Sequence, residues 1–285
     1  MFESFKLDMI AVPEATLRVR HGGAGPPVLL LHGHPRTHAT WARVAPLLAR
    51  THTVVCPDLR GFGQSSKPAD APGHENSSKR AKARDCVALM ATLGFESFAI
   101  VGHDRGAYTA FRTAMDHPAC ITHLAILDAV PILEALERCD ARFAAAWWHW
   151  FFFAQPGKPE RAICADPDAW YGGTPEAMGA QAYADYRAAI RDPAVIHGMI
   201  EDYRAGLGID RQHDEADRQA GRKITCPALV LWSLRDDLQQ LFGDILDIWR
   251  PWAAEISGRG IDCGHHMAEE APEELAGELL RFLGN

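Results

Sequence analysis

The sequence predicts an α/β fold: a mostly parallel central sheet flanked by helices on both faces, with an inserted helical segment. Three observations predict it. Short, continuously apolar runs at 28–31 and 98–101, and a further strand pattern at 121–127, alternate with amphipathic stretches, and continuous apolar runs are what strands buried on both faces require. Residues 131–220 then hold no convincing run of this kind, only helical patterns. The strand pattern returns at Ala228-Leu229-Val230-Leu231-Trp232.

The elements follow in order. Residues 16–20 alternate in polarity and read as an edge strand, and 22–27 as a turn. Val28-Leu29-Leu30-Leu31 is a buried strand that ends in His32-Gly33-His34-Pro35. Residues 41–50 read as a helix, with apolar side chains at 41, 44, 45, 47 and 48. A strand at 53–56 leads into a glycine-rich loop, and an amphipathic helix over 79–93 stops at Gly94. The run Phe98-Ala99-Ile100-Val101 enters Gly102-His103-Asp104-Arg105-Gly106, after which a helix runs from Ala107 to Asp116. Residues 121–127 form a strand with Asp128 at its carboxyl end. The segment from Pro131 carries Trp147, Trp148, His149 and Trp150, then helical tracts at 176–191 and 193–205. Its acid-rich part, 202–217, reads as a solvated face or loop. After the strand at 228–232 come a helix to Trp249, a last strand near 254–257, the string Cys263-Gly264-His265-His266, and a closing helix over 273–283. The expected division is a core of 1–130 and 221–285 and a helical cap of 131–220.

Length and composition exclude several functions. The 285 residues allow one large domain or a core with an inserted lid. A net charge of −8 without any basic block argues against nucleic-acid binding. The seven cysteines are scattered with no C-x-x-C, which points to free thiols in a reducing compartment and gives no zinc spacing. The charged first ten residues do not read as a signal peptide, and no run of about 18 apolar residues exists. A cytoplasmic location is expected, with no cofactor, metal or membrane partner.

The chemistry is concentrated at strand ends, where open α/β sheets bind ligands. Asp104, Asp128 and His265 each follow a strand, in the chain order nucleophile, acid, base. The string Gly102-His103-Asp104-Arg105-Gly106 has the frame of the nucleophile elbow G-x-S-x-G of α/β-hydrolases, with aspartate in place of serine. A carboxylate displaces a leaving group from saturated carbon to give an alkyl-enzyme ester, which water activated by His265 then hydrolyses. Alkyl halides and epoxides are the matching substrates. Asp128 would orient His265, with Asp236 and Asp237 as the alternative acids. The backbone N–H groups of Arg105 and His34 would hold the oxyanion. His32, His34 and His38 lack a partner set suited to a metal and read as loop histidines.

Over nearly its whole length the chain resembles the fluoroacetate/haloacetate dehalogenases of the α/β-hydrolase superfamily. The strings are His32-Gly33-His34-Pro35 with Thr37-His38, Gly102-His103-Asp104-Arg105-Gly106-Ala107, Leu127-Asp128, His149-Trp150 with Ala154-Gln155-Pro156, Glu201-Asp202-Tyr203-Arg204-Ala205-Gly206, and Cys263-Gly264-His265 with Glu269-Glu270-Ala271-Pro272. The resemblance implies the α/β-hydrolase fold and a catalytic set of Asp104, Asp128 and His265. It implies that Arg105 holds the substrate carboxylate and that His149, Trp150 and Tyr203 donate to the departing halide. It also implies a homodimer. Tyr108 stands where fluoroacetate-active members carry a second arginine, so it offers a hydrogen bond without charge. An epoxide hydrolase is the alternative, with cap tyrosines among Tyr171, Tyr183, Tyr186 and Tyr203 as proton donors. A non-catalytic receptor on the same fold is a third reading, which an intact triad disfavours.

Overall fold

A computed structural model describes residues 2–284. Eight strands form one sheet: β1 (Lys6–Val12), β2 (Ala15–Gly23), β3 (Pro27–Leu31), β4 (Thr53–Pro57), β5 (Phe98–His103), β6 (Ile121–Leu127), β7 (Ala228–Ser233) and β8 (Ile256–Ile261). Their spatial order is β1-β2-β4-β3-β5-β6-β7-β8. The β1–β2 and β2–β4 pairs are antiparallel, and every later pair is parallel.

The apolar runs are continuous because both faces are covered. In β3, Leu29 and Leu31 join one core, and Val28 and Leu30 join the other. The first core contains Leu89 of the helix Lys79–Thr92 and Phe111 of the helix Arg105–Asp116. The second contains Trp41 and Leu48, with Leu275 and Leu279 of the helix Pro272–Phe282. Side-chain direction alternates along a strand, so a strand sandwiched in this way needs apolar residues at consecutive positions.

Between β6 and β7 the chain forms helices only, from Ile132–Glu137 to Arg211–Gln219. These pack above the carboxyl ends of the parallel strands, around the site described below.

Several expectations change. β1 was not anticipated: it lies at the sheet edge and exposes most of its side chains. The helix expected over 41–50 is a 3-10 turn, His38–Ala42, followed by one short helix, Ala45–Leu48. Pro46 falls within that span and lacks the N–H that a continuous helix needs there. The last strand lies at Ile256–Ile261 rather than near 254–257. The acid-rich segment 202–217 is not a solvated face. Asp202, Asp210, Asp214 and Asp217 are buried and bonded to Arg105, Lys79, Lys82 and Arg112. Among the described residues, no helix is long and apolar enough to cross a membrane.

Candidate active site

One residue, Asp104, joins β5 to the helix Arg105–Asp116, at φ 50° and ψ −119°. A residue with a side chain pays about 1–3 kcal/mol to sit in such a region, so its neighbours must hold it. They do so by leaving no room for an alternative. A Cβ on Gly102 would lie 2.2 Å from Gly106 O, and one on Gly106 would lie 2.4 Å from Leu31 O. The strand and helix therefore close tightly and push the Asp104 side chain out of the turn. It meets the loop after β3, where a Cβ on Gly33 would lie 2.2 Å from Asp104 Oδ1. Because Gly33 has none, the His34 N–H donates to Asp104 Oδ1 at 2.6 Å. The Arg105 N–H also bonds this carboxylate.

Asp128 ends β6, also at positive φ (53°). Its Oδ1 accepts from the Ser233 N–H at 2.9 Å, at the end of β7, and its Oδ2 lies 2.7 Å from His265 Nδ1. A carboxylate can only accept, so Nδ1 carries the proton and Nε2 is left for chemistry. Asp236 Oδ2 lies 3.2 Å from the same Nδ1. The Asp128 side chain is 1% exposed and that of Asp236 is 35% exposed, so the shorter bond belongs to the buried acid. His103 Nε2 bonds the His265 carbonyl at 2.7 Å and fixes the loop.

Burial works against charge on His265, but its bonds to Asp128 and Asp236 and the nearby Asp104 raise its pKa well above the usual imidazole value. Burial also works against charge on Asp104. There the positive charges of His265 and Arg105 and the Arg105 N–H win, and the carboxyl is held below its ordinary value. The other imidazoles behave oppositely. Burial lowers His34 to about 3 and His149 to about 4, which leaves both neutral near pH 7.

These groups face a cavity of about 340 Å³. Its lining includes Asp104, Asp128, His265, His34, Tyr108, His149, Trp150 and Tyr203. Tyr203 stands edge-on to His149 (centroids 5.7 Å apart) and near Trp150 (6.2 Å). Tyr171 touches His34 edge-on, but its buried hydroxyl has no partner and it does not line the cavity. Tyr186 donates to the Gly172 carbonyl, away from the site.

Arg105 departs most from its expected placement as a clasp for a substrate carboxylate. Its Nε donates to Asp202 Oδ2 at 2.5 Å and its Nη2 to Asp202 O at 3.0 Å. Its guanidinium lies 4.1 Å from the Tyr203 ring centroid and 5.0 Å from that of Tyr108. Only Nη1 is buried without a partner, and the residue is not among those lining the cavity.

Sequence reasoning missed part of the wall. Trp147, given no role in the sequence reading, lines the cavity and donates its indole N–H to Asp237 at 2.9 Å. Asp202 reads as part of a solvated segment because its main partner, Arg105, is 97 positions away in the chain. His32 and His38 are structural. His32 bonds Gly33 O and the Leu59 N–H, and His38 pairs with Asp58. Asp128, Asp236 and His265 are close enough to share an ion, but their mutual hydrogen bonds already explain the arrangement.

Comparison with known proteins identifies the family. Residues 26–270 match the family model described as alpha/beta hydrolase fold. A fluoroacetate dehalogenase from Burkholderia sp is 44% identical, over 100% of this chain and 96% of the relative. A soluble epoxide hydrolase from Corynebacterium sp. (strain C12) is 31% identical over 91% of each. A solved structure from Nostoc sp PCC 7120, described as an alpha/beta hydrolase, superposes with a TM-score of 0.96 at 44% identity and covers 100% of both chains. The chain is a hydrolase, and it belongs to the haloacetate dehalogenase family of the α/β-hydrolase superfamily.

Proposed function

We propose that this enzyme hydrolyses a carbon–halide bond in two steps through an ester on Asp104. The observation that carries the reading is the Asp104 carboxylate itself. One oxygen, Oδ1, is tied to the His34 N–H at 2.6 Å, while the group faces a cavity shared with His265 and three aromatic donors. The free oxygen attacks carbon from the side opposite the halogen, the C–O bond forms, and halide leaves with the bonding pair. His149, Trp150 and Tyr203 are N–H and O–H donors suited to that developing anion.

Hydrolysis follows at the aspartyl carbonyl. His265 Nε2 takes a proton from water, the hydroxide adds to Cγ, and Oδ1 carries the negative charge. The N–H groups of His34 and Arg105 stabilise it where it forms. The intermediate expels the alcohol, which takes the proton from His265. The aspartyl carboxyl then ionises, so halide, alcohol and one proton are released overall. Esterification also removes the Asp104 charge, one of the influences that keep His265 protonated. The first step thus readies the base for the second.

Epoxide opening is the second reading, because Tyr108 and Tyr203 both line the cavity and the Corynebacterium relative is an epoxide hydrolase. Two points support halide over epoxide. Tyr203 shares its wall with His149 and Trp150, and Tyr171, Tyr183 and Tyr186 do not line the cavity. The test is a halide-release screen over haloacids, their derivatives and simple epoxides, with Asp104→Asn as control. His265→Asn should accumulate the ester on Asp104, seen as a mass increase of the intact protein. Epoxide turnover with no halide release from any compound would reject the halide reading.

A further inference from the structure

We propose that the substrate of this site is an uncharged organohalide larger than a two-carbon haloacid; this rests on the carbon–halide reading above and names its substrate class. The cavity wall carries four carboxylates: Asp104, Asp128, Asp236 and Asp237. Among the described lining residues the cation is His265, which is held by two of those acids. The lining imidazoles of His34 and His149 are kept neutral by burial. A carboxylate on the substrate would enter a field of its own sign, and like charges in a partly desolvated site repel strongly. Asp237 registers that field: burial, Asp236 and Asp128 together raise its pKa.

The obvious counter-charge, Arg105, lies behind Tyr108 and Tyr203, with Nε and Nη2 on Asp202 and Nη1 buried outside the cavity lining. Asp202 in turn bonds Lys79 and Lys82 and is fully buried. Arg105 thus belongs to a buried ion cluster with Lys79, Lys82, Asp202 and Asp210, outside the cavity lining. What faces the cavity in its place is the Tyr108 phenol, whose neutral O–H suits a carbonyl or hydroxyl oxygen.

Size points the same way. About 340 Å³ holds roughly ten waters at about 30 Å³ each, far more than a haloacetate fills. Ala146, Trp147, Trp150 and Leu238 contribute apolar surface to the cavity lining, which an alkyl or aryl extension would cover.

The test compares kcat/KM for halide release from bromoacetate, bromoacetamide and N-butyl-bromoacetamide, each corrected with Asp104→Asn for non-enzymatic alkylation. Bromoacetamide should exceed bromoacetate by about ten-fold or more, and the butyl amide should equal or exceed the parent amide. Asp237→Asn keeps an acceptor for the Trp147 indole but removes one charge, and should narrow the gap between amide and acid. Equal or faster release from bromoacetate overturns the proposal, as does loss of activity on adding the butyl group. A gap unchanged by Asp237→Asn removes the electrostatic cause and overturns it too. Asp104-dependent release from bromoacetate alone defeats only the substrate class, whereas no Asp104-dependent halide from any compound defeats the carbon–halide reading itself.

Discussion

His265 is placed between two acids, and the two steps ask opposite things of it. Alkylation needs an ionised Asp104, which the positive charges of His265 and Arg105 hold below the ordinary carboxylate value, and needs no proton transfer by His265. Hydrolysis needs a neutral His265, whose pKa is raised by Asp128, Asp236 and Asp104. Lowering the pH through the imidazole's raised value therefore spares the first step and stalls the second. Ester on Asp104 should be more abundant at about pH 5 than at about pH 8, read by acid quench and intact mass during turnover. An equal ester level at both would show that His265 does not limit hydrolysis. Asp128→Asn and Asp236→Asn separate the acids. Asp128 is closer and buried, so its replacement should slow ester hydrolysis about 10³-fold or more, against about ten-fold or less for Asp236→Asn. The reverse order in single-turnover hydrolysis would assign the role to Asp236. Asp104 and His265 could be singled out from the chain because a glycine frame and a strand end mark them. The division of labour between Asp128 and Asp236 could not, because both follow strands and the choice depends on half an ångström and on burial.

At the scale of elements, legibility followed burial. Strands β3, β5, β6 and β7 carry unbroken apolar runs because both faces are covered, and the sequence states this directly. β1 shows no such signal, since its pattern Lys-Leu-Asp-Met-Ile-Ala-Val serves an exposed edge. β8 is obscured by Gly258 and Gly260, poor strand formers that are present for space. A Cβ at 258 would lie 2.0 Å from Val230 O, and one at 260 would lie 2.3 Å from a side-chain carbon of Leu234. The helix after the elbow begins at Arg105, earlier than its apolar periodicity shows. Its first turn is set by the forced geometry at Asp104, not by propensity. The acidic stretch 202–217 misled for a related reason: charge suggests solvent only until its partners are known, and those lie on the helices Lys79–Thr92 and Arg105–Asp116.

For the whole molecule, those partners join the helical insertion to the sheet. Asp202 bonds Arg105, Lys79 and Lys82 while fully buried. Burial lowers Lys82 to about 8 even with Asp202 supporting its charge. Asp202→Ala would remove the carboxylate these three cations share, a change that costs about 3–5 kcal/mol when a buried pair is broken. A fall of the denaturant midpoint should report it, whereas Arg235→Ala, at the exposed pair with Asp262, should leave the midpoint in place. A loss at Asp202 no larger than at Arg235 would mean that the cluster does not hold the insertion down.

The bond from the Trp147 indole to Asp237 has a consequence for how such an enzyme changes over generations. Asp237 stands on the short connection between β7 and the helix Leu238–Phe242, outside the buried ion cluster. Loops carried by a rigid scaffold accept substitution more readily than the scaffold does. Position 237 is therefore where a lineage could exchange one class of substrate for another while its folding stability stays in reserve.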